Sequence, residues 1–155
     1  MFENLTSLAG TPLPHAALEG KSVLVVNVAS RCGLTPQYAK LVRLRAAYAD
    51  RGVEVLGVPC NQFAGQEPGN AHEIQAFCST TYGVDFPLLE KQDVNGANRS
   101  PLYRALIGSP AGGGKDIAWN FEKFVVGPAG QVLARFSPTV DPEAPEVLAA
   151  LGIQG

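Results

Sequence analysis

The chain has 155 residues, of which 46% are hydrophobic and 17% are charged, so we expect one domain over residues 1–155 with a well-filled core. A net charge of -2 argues against nucleic acid or an anionic membrane surface as the main partner. No apolar run approaches the ~20 residues of a membrane-spanning helix and the first residues do not resemble a secretory signal, so we expect a cytoplasmic protein without an integral membrane segment.

Hydrophobic patterning in the first half of the chain predicts a strand, a helix and a second strand. Residues 23–28 form an apolar, β-branched run that is typical of a buried strand. Apolar residues then recur at helical spacing over residues 36–50, and Gly52 supplies a stop signal. Residues 53–58 predict the second strand, and the short return predicts that the two strands are parallel neighbours.

The second half of the chain predicts helices around an antiparallel hairpin. After a loop rich in proline, asparagine and glycine, Asn70 and Glu73 form a capping-box-like pair that predicts a helix ending near Gly83. Turn residues between two apolar runs predict a hairpin of residues 121–126 and 132–136. The remaining predicted elements are a short strand at residues 86–88, a short helix at residues 101–107 and a last helix opening at Asp141 and Pro142. Together they predict an α/β fold of thioredoxin architecture, with a mixed sheet and helices on both faces.

The three cysteines, Cys32, Cys60 and Cys78, are spaced too widely for a zinc knuckle, and the two histidines are isolated. We therefore expect no metal site, and nothing in the sequence suggests a flavin, a haem or another cofactor. A static disulfide framework is disfavoured in a small cytosolic chain. The cysteines are then either inert buried thiols or redox-active groups.

Cys32 lies between the first predicted strand and the helix that follows it. A thiol in this position feels the unpaired N–H groups and the positive end of the helix, which favour the thiolate. The carboxyl ends of strands in an open α/β sheet are also where ligands bind. The alternative interpretation is a small buried hydrophobe. Thr35 stands where a dithiol oxidoreductase would carry a second cysteine, so the pattern points away from dithiol exchange and toward attack on a peroxide.

Three segments of the chain resemble signatures of the glutathione peroxidase family. Residues 27–38 are similar to the signature around its peroxidatic residue: Asn-Val-Ala-Ser-Arg-Cys-Gly-Leu-Thr-Pro-Gln-Tyr. Residues 59–69 are similar to its second signature, with Ala64 where glycine is usual: Pro-Cys-Asn-Gln-Phe-Ala-Gly-Gln-Glu-Pro-Gly. Residues 119–124, Trp-Asn-Phe-Glu-Lys-Phe, resemble the third. The segments occur in order, and the similarity extends from about residue 5 to the C-terminus. The resemblance implies a thiol peroxidase.

The resemblance also implies a catalytic tetrad of Cys32, Gln66, Trp119 and Asn120. The assignment makes chemical sense, because a thiolate that attacks an O–O bond needs donors for the leaving oxygen. The two amides and the indole supply N–H groups without adding a competing base. The alternative interpretations are a core anchor for the tryptophan and turn formers for the two amides.

Attack on a peroxide would leave a sulfenic acid on Cys32. Cysteine-type members of the family resolve it with a cysteine in a Phe-Cys-x-x-x-Tyr-Gly-Val segment and then use thioredoxin, and residues 77–84 match this segment with Cys78. Cys78 shares an apolar stripe with Ile74, so we expect it to face the core. Bridging requires Cα atoms within about 7 Å, so we expect the helix to unwind at least partly before a disulfide forms. The alternative is that Cys78 only packs, and Cys60 is interpreted as structural.

The segment between Gly96 and Trp119 is short, whereas tetrameric relatives carry a longer insertion there that forms a subunit contact. The resemblance therefore implies a monomer with an open site that admits bulky hydroperoxides, including lipid ones, and a protein reductant such as thioredoxin. Three alternatives stay open. The first is that glutathione is the direct reductant. The second is that the protein is a peroxide sensor that passes a disulfide to a regulatory partner. The third is that it is a non-catalytic thioredoxin-like binding module.

Overall fold

A four-stranded mixed sheet forms the centre of the computed structural model, which describes residues 1–153. Its strands are β1 (Ser22–Val28), β2 (Val53–Pro59), β3 (Lys123–Val126) and β4 (Val132–Phe136). They lie in the order β2-β1-β3-β4, with β1 parallel to β2 and antiparallel to β3, and β3 and β4 form a hairpin. The predicted mixed sheet, parallel early in the chain and antiparallel late, is confirmed.

Four α-helices pack around the sheet: α1 (Gln37–Tyr48), α2 (Ala71–Phe77), α3 (Pro101–Gly108) and α4 (Pro145–Ala150). Shorter turns are 3-10 helices at His15–Ala17 and Ala49–Arg51, and a π-helical turn at Cys78–Tyr82 that continues α2. Within residues 1–153, no helix is both long and apolar enough to cross a bilayer.

Side chains of β1 alternate between the two faces of the sheet, and each face carries its own buried cluster. Leu24 and Val26 join the cluster that includes α1 and α4, which we call the α1 face. Val23 and Val25 join the cluster that includes α3, which we call the α3 face. The predicted helices on both faces are therefore confirmed, and the buried run of β1 is explained by contacts on both sides.

Local signals account for several element boundaries. Asn70 accepts a hydrogen bond from the backbone of Glu73, and Glu73 accepts one from Asn70, so the predicted capping box at the start of α2 is confirmed. Gly52 has a φ of 78° and ends the helical segment before β2, as predicted. The π-helical turn after α2 ends at Gly83, which has a φ of 61°.

Three predicted boundaries are wrong. The strand predicted from residue 121 begins at Lys123, because Phe121 has a φ of 68° and cannot continue an extended chain. The last helix begins at Pro145 and not at Asp141, because Asp141 accepts backbone hydrogen bonds in a preceding turn. The strand predicted at residues 86–88 is reduced to an isolated bridge from Leu88 to β2. The adjacent Pro87 has no N–H to donate, so the hydrogen bonds of a continuous strand cannot form there.

Candidate active site

Cys32 lies in the turn that joins β1 to α1, at the carboxyl end of β1, and 8% of its surface is exposed. The side chain of Thr35 organises this turn. Its Oγ1 accepts a hydrogen bond from the Cys32 N–H at 2.9 Å and donates one to the Ala29 carbonyl at 2.8 Å. The Leu34 N–H donates to the Cys32 Sγ at 3.3 Å. The donor that reaches the sulfur therefore belongs to the turn, which precedes the first residue of α1.

Gln66 and Asn120 form an amide pair beside this turn. The Arg31 N–H donates to the Gln66 carbonyl at 3.0 Å, which ties the loop after β2 to the residue before Cys32. Asn120 Nδ2 donates to Gln66 Oε1 at 2.9 Å. Because Oε1 is occupied as an acceptor, the NH₂ group of Gln66 is the part of that side chain available to a substrate.

Trp119 sits at the start of the turn that leads into β3. Its ring packs against Phe63, with ring centroids 5.6 Å apart. The Trp119 carbonyl accepts a hydrogen bond from Asn27 Nδ2 at 3.0 Å, and the Phe121 N–H donates to the Asn27 carbonyl at 2.6 Å. Asn27, a buried residue of β1, thus binds the backbone on both sides of Asn120, the residue that pairs with Gln66.

The predicted tetrad lies at one end of the sheet, at the carboxyl ends of β1 and β2 and the start of the antiparallel β3. Within residues 1–153, however, the side chains of Gln66, Trp119 and Asn120 make no hydrogen bond to the Cys32 sulfur. The structure therefore brings the two amides together and anchors them to the Cys32 turn, while the donors remain available for a ligand.

Lys123 is a buried cation that the sequence did not single out. Its ammonium group donates to the carbonyls of Phe121 at 2.6 Å and Pro138 at 3.0 Å. Gln37, the first residue of α1, donates to the same Pro138 carbonyl at 2.9 Å. Burial lowers the pKa of Lys123 to about 8. These contacts connect the turn that carries Trp119 to the helix that follows Cys32.

Cys78 is fully buried where α2 passes into the π-helical turn, so the prediction that it faces the core is confirmed. It belongs to the same α1-face cluster as Cys32, and both are free thiols. Burial raises the pKa of the Cys78 thiol. The buried hydroxyl of Tyr38 is close enough to moderate this rise in pKa, although its geometry is not that of a hydrogen bond.

Cys60 belongs to the α3-face cluster, on the opposite side of the sheet from Cys32 and Cys78. It is fully buried, its Sγ donates to Gln62 Oε1 at 3.4 Å, and burial raises its pKa. The sheet therefore separates this thiol from the other two, which favours a structural role.

Glu67, next to Gln66, was also not singled out by the sequence. It is fully buried, one carboxyl oxygen accepts a hydrogen bond from the Ser30 N–H at 3.1 Å, and the other has no partner. Burial raises the pKa of this carboxyl group. Its place in the second signature was visible in the sequence, but its burial was not, because charged residues are usually exposed.

In the part of the chain that the structure describes, no group of three or more His, Cys, Asp or Glu side chains is arranged to hold a metal ion. What the site offers chemically is a near-surface thiol, amide and indole donors, and a buried carboxyl group.

Comparison with known proteins places these features in a family. Residues 2–107 match the family model described as Glutathione peroxidase. The chain is 56% identical over 148 residues to the hydroperoxy fatty acid reductase Gpx2 of Synechocystis sp., a match that covers 96% of this chain and 94% of that protein. It is 47% identical to the thioredoxin/glutathione peroxidase BtuE of Escherichia coli, over 85% of this chain and 84% of that one.

Comparison with solved structures gives the same result. The crystal structure of T. cruzi GPX1 superposes with a TM-score of 0.73 at 34% sequence identity. The match covers 96% of this chain and 93% of that chain. It confirms the predicted thioredoxin-like fold.

Proposed function

This chain belongs to the glutathione peroxidase family and is a peroxidase, and from that premise we propose that Cys32 reduces hydrogen peroxide and organic or lipid hydroperoxides. The observation that carries the proposal is the Gln66–Asn120 amide pair, which is anchored to the turn that presents the Cys32 thiol. The Synechocystis relative is named for the reduction of hydroperoxy fatty acids, which supports a lipid hydroperoxide as one substrate.

In the proposed first step, the Cys32 thiolate attacks one oxygen of the hydroperoxide, and the O–O bond breaks as an S–O bond forms. The leaving oxygen takes up a proton and departs as an alcohol or as water, and Cys32 becomes a sulfenic acid. The Gln66 NH₂ and the Trp119 indole N–H are donors for the leaving oxygen. Asn120 orients Gln66 through the 2.9 Å hydrogen bond to its amide oxygen.

In the second step, Cys78 attacks the sulfenic acid and forms a disulfide with Cys32, which thioredoxin then reduces. Cys78 must leave the core to do so, and we propose that α2 unwinds at least partly. This helix has 7 residues, of which only Ile74 is buried, and it ends in an irregular π-helical turn at Cys78. Such segments open at low free-energy cost.

We propose that the protein acts as a monomer in the cytoplasm, where thiols are kept reduced between turnovers. Support comes from the short segment before Trp119 and from the exposed neighbours of Cys32, Arg31 and Gly33, which leave the turn open to a protein reductant.

The choice of reductant is tested by supplying the purified protein with thioredoxin and its reductase, or with glutathione and its reductase. Oxidation of NADPH after addition of a hydroperoxide measures turnover. We expect sustained turnover with thioredoxin, to which the name of the Escherichia coli relative also refers. Turnover with glutathione alone would overturn the thioredoxin assignment. Consumption of one equivalent of peroxide, with neither reductant sustaining turnover, would favour the peroxide sensor.

Weakening α2 tests the unwinding step. Asn70→Ala removes the side-chain acceptor of the capping box and costs the helix about 1 kcal/mol. Because opening precedes the disulfide in the proposed sequence, we expect Cys32–Cys78 disulfide formation to accelerate about fivefold. The measurement is the loss of the free Cys78 thiol after one equivalent of hydrogen peroxide. Asn98→Ala, at an exposed turn residue, is the matched control. An unchanged rate, or an oxidised structure with α2 intact, would contradict the step.

A further inference from the structure

A groove separates the turn that carries Cys32 from the helix that leads to Cys78. Ser30 and Arg31 line one side, immediately before Cys32, and Ile74 and Phe77 line the other, on the last turn of α2. Glu67 lines the same groove, and its side chain is fully buried. A carboxyl group therefore lies between the two segments whose sulfur atoms must meet.

The backbone of Glu67 is fixed on both sides. Its N–H donates to Asn61 Oδ1 at 2.9 Å, and its carbonyl accepts from Lys91 Nζ at 2.9 Å. The carboxyl oxygen Oε1 accepts from the Ser30 N–H at 3.1 Å, whereas Oε2 is buried with no partner. An unpaired polar atom in the interior costs free energy, and the lone pairs of Oε2 are free to accept a proton.

The chemistry of the resolving step calls for a group of this kind. Burial raises the pKa of the Cys78 thiol, so Cys78 does not ionise readily by itself near neutral pH. A base must accept its proton as it attacks, and an acid must protonate the departing hydroxide. Burial also raises the pKa of Glu67 toward the range in which a carboxyl group can serve in both capacities.

We propose that Glu67 is the acid–base residue of the resolving step, a proposal that rests on the Cys32 and Cys78 chemistry proposed above. As the Cys78 sulfur bonds to the Cys32 sulfur, the thiol proton passes to Glu67 Oε2. The S–O bond of the sulfenic acid breaks, and the leaving hydroxide takes that proton and departs as water. Cys78 is oxidised, Cys32 is reduced from sulfenic acid to disulfide, and Glu67 returns to its carboxylate form.

Other ionisable groups face this carboxyl group from each neighbouring element. They are Arg31 in the Cys32 turn, Lys91 in the loop after the Leu88 bridge, Glu73 on α2, Tyr38 on α1 and Cys78 at the π-helical turn. Burial raises the pKa of Glu67, and the polar groups of Ser30, followed by the charges of Lys91 and Arg31, oppose that rise. Since the base must be ionised to act, the rate of disulfide formation falls when the pH drops below the Glu67 pKa.

Single-turnover measurements on Glu67→Gln test this role, because glutamine keeps the acceptor for Ser30 but cannot take a proton. Reduced protein is mixed with one equivalent of hydrogen peroxide. Peroxide consumption reports attack by Cys32, and alkylation followed by mass spectrometry reports loss of the free Cys78 thiol. We expect peroxide consumption within about twofold of wild type and disulfide formation at least about tenfold slower, without the fall at low pH. Glu90→Gln, the same change at an exposed site, is the control.

The possible outcomes separate the two proposals. Disulfide formation at the wild-type rate in Glu67→Gln, or a slower rate with an unchanged pH profile, would overturn the role of Glu67. Failure of wild-type Cys32 to consume peroxide would instead overturn the proposed function. If Glu67→Gln does not fold, Glu67→Asp keeps a carboxyl group. In Glu67→Asp we then expect disulfide formation that is slower than in the wild type but still decreases in rate at low pH. A rate of disulfide formation that does not decrease at low pH, in the wild type and in Glu67→Asp, would refute the proposal.

Discussion

Replacing Cys32 with serine will abolish hydroperoxide reduction, with a loss in kcat/KM of about a thousandfold or more. The serine hydroxyl does not ionise near neutral pH and is a far weaker nucleophile toward an O–O bond than a thiolate. The fold will survive, because the turn is held by Thr35 and by backbone groups, and the Cys32 sulfur only accepts one hydrogen bond from Leu34. Hydroperoxide consumption with the thioredoxin system measures the loss, and circular dichroism checks the fold.

Cys60→Ser is the matched control for that experiment. Cys60 lies on the α3 face, and a serine hydroxyl can donate to Gln62 as the thiol does, so we expect activity close to that of the wild type. A Cys32→Ser protein with full peroxidase activity would contradict the assignment and revive the non-catalytic binding module.

Replacing Cys78 with serine will leave the first step intact and stop the cycle after it. We expect one equivalent of hydroperoxide to be consumed at the wild-type rate, followed by a fall of about a hundredfold or more in thioredoxin-dependent turnover. The reason is that a sulfenic acid on Cys32 then lacks the thiol that converts it into the disulfide thioredoxin reduces. Stopped-flow peroxide consumption and a sulfenic-acid trapping reagent give the two measurements.

The outcomes for Cys78→Ser also distinguish the alternatives. Sustained turnover with thioredoxin would show that Cys78 only packs in the core. Restoration of turnover by glutathione would assign direct reduction of the sulfenic acid to that thiol. A mixed disulfide between Cys32 and a regulatory protein, trapped in this variant, would favour the sensor.

Elements with uniform local signals were predicted well from the sequence. The β-branched run of β1 and the turn residues between β3 and β4 gave the mixed sheet, because patterning and tertiary contacts favour the same conformation there. Phe121 was placed in a strand because it is apolar and aromatic. Its position is set instead by two hydrogen bonds: its N–H donates to the carbonyl of Asn27, which lies on β1 far away in the sequence, and its carbonyl accepts from the buried ammonium group of Lys123. Such contacts leave no periodic pattern in a sequence.

The candidate site was predicted in its parts but not in its connections. The three signatures identified Gln66 and Asn120, yet the hydrogen bond between their side chains joins residues that are 54 positions apart. The sequence did not indicate that Glu67 and Lys123 are buried, because charged residues are normally solvated. Their burial depends on how two loops pack over the end of the sheet. Ala64 was noted where glycine is usual, and its φ of 56° explains why glycine suits that position.

The central claim is that Cys32 attacks the hydroperoxide and that Cys78, not Cys60, resolves the product. Mass spectrometry of peptides from the wild-type protein, alkylated after one equivalent of hydrogen peroxide, tests it most directly. We predict a single disulfide between Cys32 and Cys78 with Cys60 recovered as an alkylated free thiol. An unmodified Cys32, or a disulfide that includes Cys60, would contradict the claim.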